Sequence, residues 1–246
     1  MTHLRRGYYG IAYLTGIAIV LITLGIESYQ YQAHQSLILR DLKNRLDEHA
    51  LAISFRTQAV QEEVQGLQLA AEDSLRYFKA YQHTAFRFPL LKENQDQKSF
   101  SLDVDALEVN KSAVGNLVGL GSLKSLSAAK KEEINMALFL NTFFEIALKN
   151  TPGAVNVNYV SKNHFQLSYP WKPMDPSVLR KDAREEAPTP QDSWTAPHHT
   201  VITNTLPVYD GDQVLGAVAM DVSLNELTRM LHQFQSSSGT IFLLNN

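Results

Sequence analysis

Asp221 is the residue whose type and position first suggest ligand chemistry. It ends the apolar stretch 214–220, which predicts a strand. A carboxylate in apolar surroundings stays charged only where a cation or hydrogen-bond donors face it. Two interpretations stay open: Asp221 contacts a ligand, or its side chain caps the helix predicted to follow.

Motifs of known catalytic and metal chemistry are missing. There is no G-x-S-x-G, P-loop, H-E-x-x-H or G-x-G-x-x-G pattern, and the triplet 119–121 (GLG) is too short to cradle a phosphate. The absence of cysteine excludes disulfides, thiolate zinc sites and a cysteine nucleophile. His198 and His199 would point to opposite faces of a strand, and His164 lies on another strand, so a shared metal is disfavoured. We predict no catalytic residue, no metal, no cofactor and no enzyme in this chain.

Composition places the chain among folded proteins. It has 246 residues, 44% hydrophobic and 19% charged, which suits one large or two small domains. The net charge of -3 suggests no basic face, and nucleic acid is therefore not an expected partner. The charged run 130–133 (KKEE) is predicted to be the solvated start of a helix.

Residues 7–26 predict a transmembrane helix. They carry no charge, and about 20 apolar residues span a hydrocarbon core. Arg5 and Arg6 precede them and the next cationic residue is Arg40, which places residues 1–6 in the cytoplasm and everything after residue 26 outside. A cleaved signal peptide is the rival, but its apolar region would be shorter and no A-x-A pattern follows. We expect the chain to cross a membrane once.

Residues 27–85 predict one long extracytoplasmic helix, or two nearly continuous ones. They hold no proline and one glycine, and apolar residues recur at helical spacing. Such a helix cannot bury itself alone, so it packs on its own domain, on a second copy, or on both. A simple spacer and a dimerising stalk both remain possible, and we expect a homodimer through this helix.

The rest alternates between strands and helices. Expected elements are a loop at 86–98, strands at 100–104 and 116–120, a helix at 128–149 capped by Ser127, a hairpin of 155–160 with 164–169, a proline-rich loop at 170–197, a hairpin of 200–209 with 214–222, a helix at 224–234 and a strand at 240–244. The buried stripe of the 128–149 helix is expected to be Met136, Ala137, Phe139, Leu140, Phe143, Phe144 and Ala147. Because the final strand has no partner after it, we favour a fragment cut within a second unit; the alternative is that it completes the earlier sheet.

The last fifty residues carry specific motifs. They read PVYDG at 207–211 and GAVAMDVSL at 216–224, with Leu227 on the following helix and WTAPH at 194–198 before them. These segments resemble the "P-V-Y-D-G", "G-V-V-G-x-D-I-S-L" and "W-x-x-P-Y" patterns of the double Cache sensor domain of bacterial transmembrane receptors. The resemblance covers about residues 30–246, and before the last fifty it concerns element order alone.

The resemblance implies an α+β fold in which the anchor and long helix precede a PAS-like antiparallel sheet flanked by helices. The membrane-distal unit would occupy 86–235, and 236–246 would begin a truncated membrane-proximal unit. A small-molecule sensor of the bacterial inner membrane, with its bulk in the periplasm, is implied. It is most like those attached to diguanylate cyclases and otherwise to histidine kinases or chemoreceptors. Two rivals from other classes remain, a protein-binding ectodomain or scaffold and an anchored periplasmic enzyme.

The same resemblance implies a pocket. Asp221 would hold a ligand's ammonium, Tyr159, Tyr169 and Trp171 would line the wall, and Trp194 and His198 would close it. For the aromatic residues core packing is the alternative, and for Trp194 and His198 a surface role. The amino-acid-binding pattern has an arginine two residues before a tryptophan-tyrosine pair, but 168–172 (SYPWK) has none. The sequence therefore lacks the arginine that would clamp a ligand carboxylate, and the resemblance does not specify the ligand.

Overall fold

The computed structural model divides the chain into two compact units, Met1–Ser54 and Phe55–Asn246. It describes residues 2–81, 88–94, 98–102, 114–177, 179, 193–194, 201–226 and 229, with side chains from Thr15 onward except at 193–194. The predicted strand 240–244 and the last residues of the predicted helix 224–234 lie outside this part, whereas 224–226 are helical.

One helix, α1 (Thr2–Tyr81), confirms the predicted long helix in its continuous form. The predicted last residues, 82–85, lie outside the described part of the chain. In the first unit, the large apolar side chains described along α1 between Ile17 and Leu51 are exposed. Those that follow the predicted transmembrane segment 7–26 include Leu37, Ile38, Leu39, Leu42, Leu46 and Leu51. No helix among the described residues is both long and apolar enough to cross a membrane. Side chains 7–14 of the predicted span lie outside the described ones.

The second unit is built on an antiparallel sheet in the order β1-β2-β3-β5-β4-β8-β7-β6 among the described residues. Its strands are β1 (Leu91–Asn94), β2 (Ser99–Leu102), β3 (Asn116–Leu120), β4 (Ala154–Ser161), β5 (Phe165–Tyr169), β6 (Ser193–Trp194), β7 (Val201–Asp210) and β8 (Gln213–Ser223). The α+β class is confirmed, and both predicted hairpins form, β4 with β5 and β7 with β8.

Strand β1 corrects the expectation of a loop at 86–98. Leu91 is buried and pairs with Leu102, so this short segment extends the sheet although Pro89 lies just before it. Proline ends a helix but is compatible with the start of an edge strand. Strand β6 likewise lies inside the predicted loop 170–197.

Helix α2 (Ala128–Asn150) has the predicted cap, because Ser127 Oγ accepts from the backbone N–H of Lys130. Its predicted stripe is wrong at two positions, since Phe139 and Phe143 are exposed. The other five predicted positions are buried, namely Met136, Ala137, Leu140, Phe144 and Ala147. Glu133 is also buried, and its spacing from Ala137 and Leu140 places it on their side of the helix. The face that packs therefore includes a carboxylate and leaves two of the predicted aromatic residues exposed.

Both helices share one core with a single face of the sheet. From Val60 to Phe78, α1 buries a side chain every three or four residues in that core. The central strands contribute alternate residues to it, such as Val157 and Tyr159 from β4 and Val218 and Met220 from β8. The intervening residues must point to the other face.

Gly119 illustrates how tightly this core packs, since it pairs across strands with Phe100. A Cβ at Gly119 would lie 2.2 Å from the Phe100 ring. We expect Gly119→Ala to lower the free energy of unfolding by about 1–3 kcal/mol, because the ring is fully buried and must shift. Urea denaturation of the variant measures this.

The matched control is Gly66→Ala in α1, where a Cβ meets no atom within 4 Å. Removing a glycine from a helix interior is expected to raise stability by about 0.5–1 kcal/mol. Equal effects of the two substitutions would contradict the packing at Gly119.

Candidate functional site

A polar cluster lies on the sheet face opposite the helices, and we name it the Asp221 cluster after its carboxylate. Oδ2 of Asp221 accepts from Nδ2 of Asn156 at 2.9 Å, and Oδ1 accepts from Oγ1 of Thr203 at 2.6 Å. Oγ of Ser168 donates to Oδ1 of Asn156 at 2.8 Å. The four side chains thus form one hydrogen-bonded row.

Strand register produces this row. Asn156 and Thr203 are the direct cross-strand partners of Asp221 on the two strands that flank β8. Met220 and Val222 point into the core, so Asp221 between them points away from the helices. A register shift in β4 between Ala154 and Asn156 places the asparagine opposite Asp221.

The surroundings leave Asp221 able to bind more donors. Asn156 and Ser168 are buried, whereas Asp221 is partly exposed. From the described residues it accepts one hydrogen bond at each oxygen, half of the roughly four that an ionised carboxylate accommodates. Among the described residues, no lysine, arginine or histidine forms an ion pair with it. An ammonium group or another hydrogen-bond donor would fill the remaining acceptor positions of the Asp221 oxygens.

The chain after β5 lies over the same face. Nδ2 of Asn116, which is buried, donates to the Lys172 carbonyl at 2.7 Å. Asn116 is the cross-strand partner of Ser168 and shares its face of the sheet. Trp171 directly precedes Lys172, so its backbone also lies on the Asp221 side of the sheet. Trp171 is partly buried.

Of the other predicted pocket residues, Tyr159 and Tyr169 do not join Asp221. Both belong to the buried core, on the face that packs against the helices. Strand alternation separates them from Asp221, so the structure does not form the implied wall of two tyrosines and the aspartate. Trp194 lies in β6 with its backbone paired to Asn204, while its side chain and the whole of His198 lie outside the described residues.

A second cluster surrounds Glu133 in the core. Its Oε1 accepts from the hydroxyls of Tyr159 and Ser161, each at 2.6 Å, and its Oε2 accepts from Nδ2 of Asn163 at 2.5 Å. Glu133 is 1% exposed. Three donors offset the loss of hydration of the carboxylate and join α2 to the β4–β5 hairpin.

Glu133 corrects the prediction of a solvated run at 130–133. It stands four residues before Ala137 and seven before Leu140, so it belongs to the stripe that turns inward. That spacing is the signal in the sequence that could have identified it. The residue type alone suggests the surface.

Lys130 is also less solvated than expected. Its Nζ donates to the Leu120 carbonyl at 3.2 Å and lies 5.8 Å from the centre of the Phe100 ring. Burial lowers the pKa of Lys130, and the charge of Glu133 partly opposes that change.

Two further features lie outside the predicted site. A cavity of about 290 Å³ is lined by Arg56 and Val60 of α1 and by Thr151 and Pro152 at the end of α2. Asn204 is buried, and its amide atoms have no hydrogen-bond partner among the described residues. Within the same part of the chain, no three histidine or acidic residues are grouped as metal ligands.

Comparison with known proteins identifies no relative: no family model, no curated protein and no solved structure matches this chain.

Removing the buried carboxylate tests the Glu133 cluster. We expect Glu133→Ala to lower the free energy of unfolding by about 3 kcal/mol, because three buried donors lose their acceptor. Glu132→Ala, one residue away and not buried, should change it by less than about 0.5 kcal/mol. Thermal or urea unfolding compares the two, and equal effects would contradict the structural role of Glu133.

Tyr159 predicts a pH dependence of stability. Burial, followed by the charge of Glu133, raises the pKa of Tyr159 well above its usual 10. The folded state therefore resists losing this proton, so the contribution of Tyr159 to stability is constant below about pH 10 and falls as the pH rises beyond it. We expect the stability advantage of the wild type over Tyr159→Phe to shrink between pH 9 and 11 in urea titrations. An advantage that grows with pH would contradict this environment.

Proposed function

We propose that this chain is the membrane-anchored, periplasmic sensor region of a bacterial receptor that binds a small molecule. The observation that carries the proposal is the Asp221 cluster, a carboxylate and three polar partners on the sheet face away from the helices. Asp221 is partly exposed in this row and accepts fewer hydrogen bonds than a carboxylate accommodates, so it can accept from the donors of a ligand. The return of the chain over this face at Lys172 supports an enclosed site.

The chemistry of the cluster favours a ligand with N–H or ammonium donors. Asp221 has no cationic partner among the described residues and retains acceptor capacity. No arginine occurs in 168–172 to bind a ligand carboxylate. Amines and the amino ends of larger molecules are therefore the first compounds to test.

Anchoring and signalling rest on the N-terminal sequence. Residues 7–26 are uncharged and long enough for one span, with Arg5 and Arg6 before them. The exposed apolar side chains of 37–51 favour pairing of α1 with a second copy. A ligand would shift the state of such a dimer only through its different affinity for the two states.

The output domain is proposed from the resemblance of 194–224 to Cache sensors. A diguanylate cyclase following this chain is our first choice, and a histidine kinase or a chemotaxis signalling domain is the alternative. This region itself is proposed to sense and to transmit, with no catalysis of its own.

A protein-binding ectodomain is the second candidate function. It is favoured by exposed aromatic side chains on the helix layer, among them Phe139 and Phe143. Large apolar groups that stay in contact with water are typical of surfaces that bind other proteins.

A thermal-shift screen of the full chain in detergent tests ligand binding. Amino acids, polyamines, carboxylates and purines are added to the wild type, to Asp221→Asn and to Asp212→Asn. Asp212→Asn is the matched control, since it makes the same change in the exposed turn of the same hairpin. We expect a dose-dependent rise in Tm for the wild type and the control, and none for Asp221→Asn.

Each alternative outcome is informative. A shift that persists in Asp221→Asn would place the ligand away from the Asp221 cluster. No shift with any compound, while all three proteins unfold cooperatively, would overturn small-molecule sensing and favour the protein-binding candidate.

A further inference from the structure

Five aromatic rings form a continuous row across the two helices of the second unit, and we name it the aromatic row. Tyr81 and Tyr77 have ring centroids 5.0 Å apart, and Tyr77 meets Phe78 edge-on at 5.5 Å. Phe78 in turn meets Phe139 of α2 at 5.9 Å, and Phe139 lies 5.7 Å from Phe143. The row therefore joins the end of α1 to the middle of α2.

The central ring of the row is buried, and the rings on either side of it are exposed. Phe78 is 4% exposed and belongs to the core, whereas Phe139 and Tyr77 are 50% and 49% exposed. Ile146, one turn beyond Phe143, extends the apolar surface along α2 and is also about half exposed. Tyr77 and Phe139 thus pack against the buried Phe78, and this restricts their motion and lowers the entropy lost when they bind a partner.

We propose that a second copy of this chain covers the aromatic row. An aromatic side chain buries about 150–250 Å² in full, so four half-exposed rings and Ile146 offer roughly 500 Å² per copy. Two copies facing each other would bury about 1,000 Å², the lower limit for a specific interface between proteins. A two-fold contact brings this patch against itself.

The flanking charges favour a partner with the same surface. Arg76 is paired with Asp73 on α1, and Lys149 is paired with Glu145 on α2. Each border therefore carries both signs, and an identical copy would meet no patch of uniform charge. A strongly acidic or basic partner would find no complementary field here. The contact does not depend on the ligand proposed for the Asp221 cluster.

Cysteine cross-linking tests the contact, because the chain has no cysteine of its own. Phe143→Cys and Ile146→Cys are made singly in the full chain in detergent and treated with a short flexible bismaleimide. Val155→Cys is the matched control, since Val155 is exposed to a similar degree on β4. We expect covalent dimers from the two helix positions and none from the control. Leu42→Cys reports separately on pairing of the long helix.

A disrupting substitution completes the experiment. Phe139→Glu, at a half-exposed site, is expected to reduce cross-linking at Ile146→Cys by about tenfold or more, and Val155→Glu should leave it unchanged. Circular dichroism melting checks that both variants fold. Cross-linking at Leu42→Cys without any at Phe143→Cys or Ile146→Cys would overturn the proposal while leaving the stalk dimer intact. A chain that stays monomeric, or cross-linking insensitive to Phe139→Glu, would also overturn it.

Discussion

The alternation of side chains along β4 and β8 organises the chemistry of the folded unit. Successive residues of a strand point to opposite faces, so Val157 and Met220 enter the core while Asn156 and Asp221 turn away from it. A slip of one residue in the pairing would exchange these two sets and bury the carboxylate among apolar groups. The register of the β7–β8 hairpin, with Gly211 at φ 60° in its turn, opposes such a slip.

The core also contains the carboxylate of Glu133, and its hydrogen bonds help to orient helix α2 on the sheet. Glu133 is held by Tyr159, Ser161 and Asn163, all from the β4–β5 hairpin. A buried carboxylate tolerates little displacement of its donors, so this contact selects which face of α2 packs on the sheet. Leu140 and Phe144 are buried on the same helix, whereas Phe139 and Phe143 lie on its exposed part and contribute to the aromatic row.

Local patterns in the sequence were sufficient for most elements. Helical spacing without proline predicted α1, Ser127 predicted the start of α2, and Asp210-Gly211 predicted the β7–β8 hairpin. Strand β1 was missed because its pairing with β2 depends on residues outside its own four. Local pattern carries no information about which distant segment supplies the partner.

The candidate site was predictable only in part, for the same reason. Asp221 could be chosen from its place after an apolar strand, but its partners Asn156 and Thr203 become visible only with the register of β4, β8 and β7. Tyr159 and Tyr169 were chosen for residue type, yet the alternation of side chains along their strands points them toward the helices. Whether a residue faces a site or the core is a property of pairing, which no single segment encodes.

Two hydrogen bonds connect the end of β8, close to Asp221, with α1 through the turn after α2. The backbone N–H of Ser223, two residues after Asp221, donates to the Gly153 carbonyl at 2.8 Å. The neighbouring Pro152 carbonyl accepts from Arg56 of α1 at 3.0 Å. A ligand that drew Asp221 toward itself would therefore act on the strand end that holds the 151–153 turn against α1. Such a link transmits a signal only if these bonds differ between the free and bound states, because a ligand with equal affinity for both shifts neither.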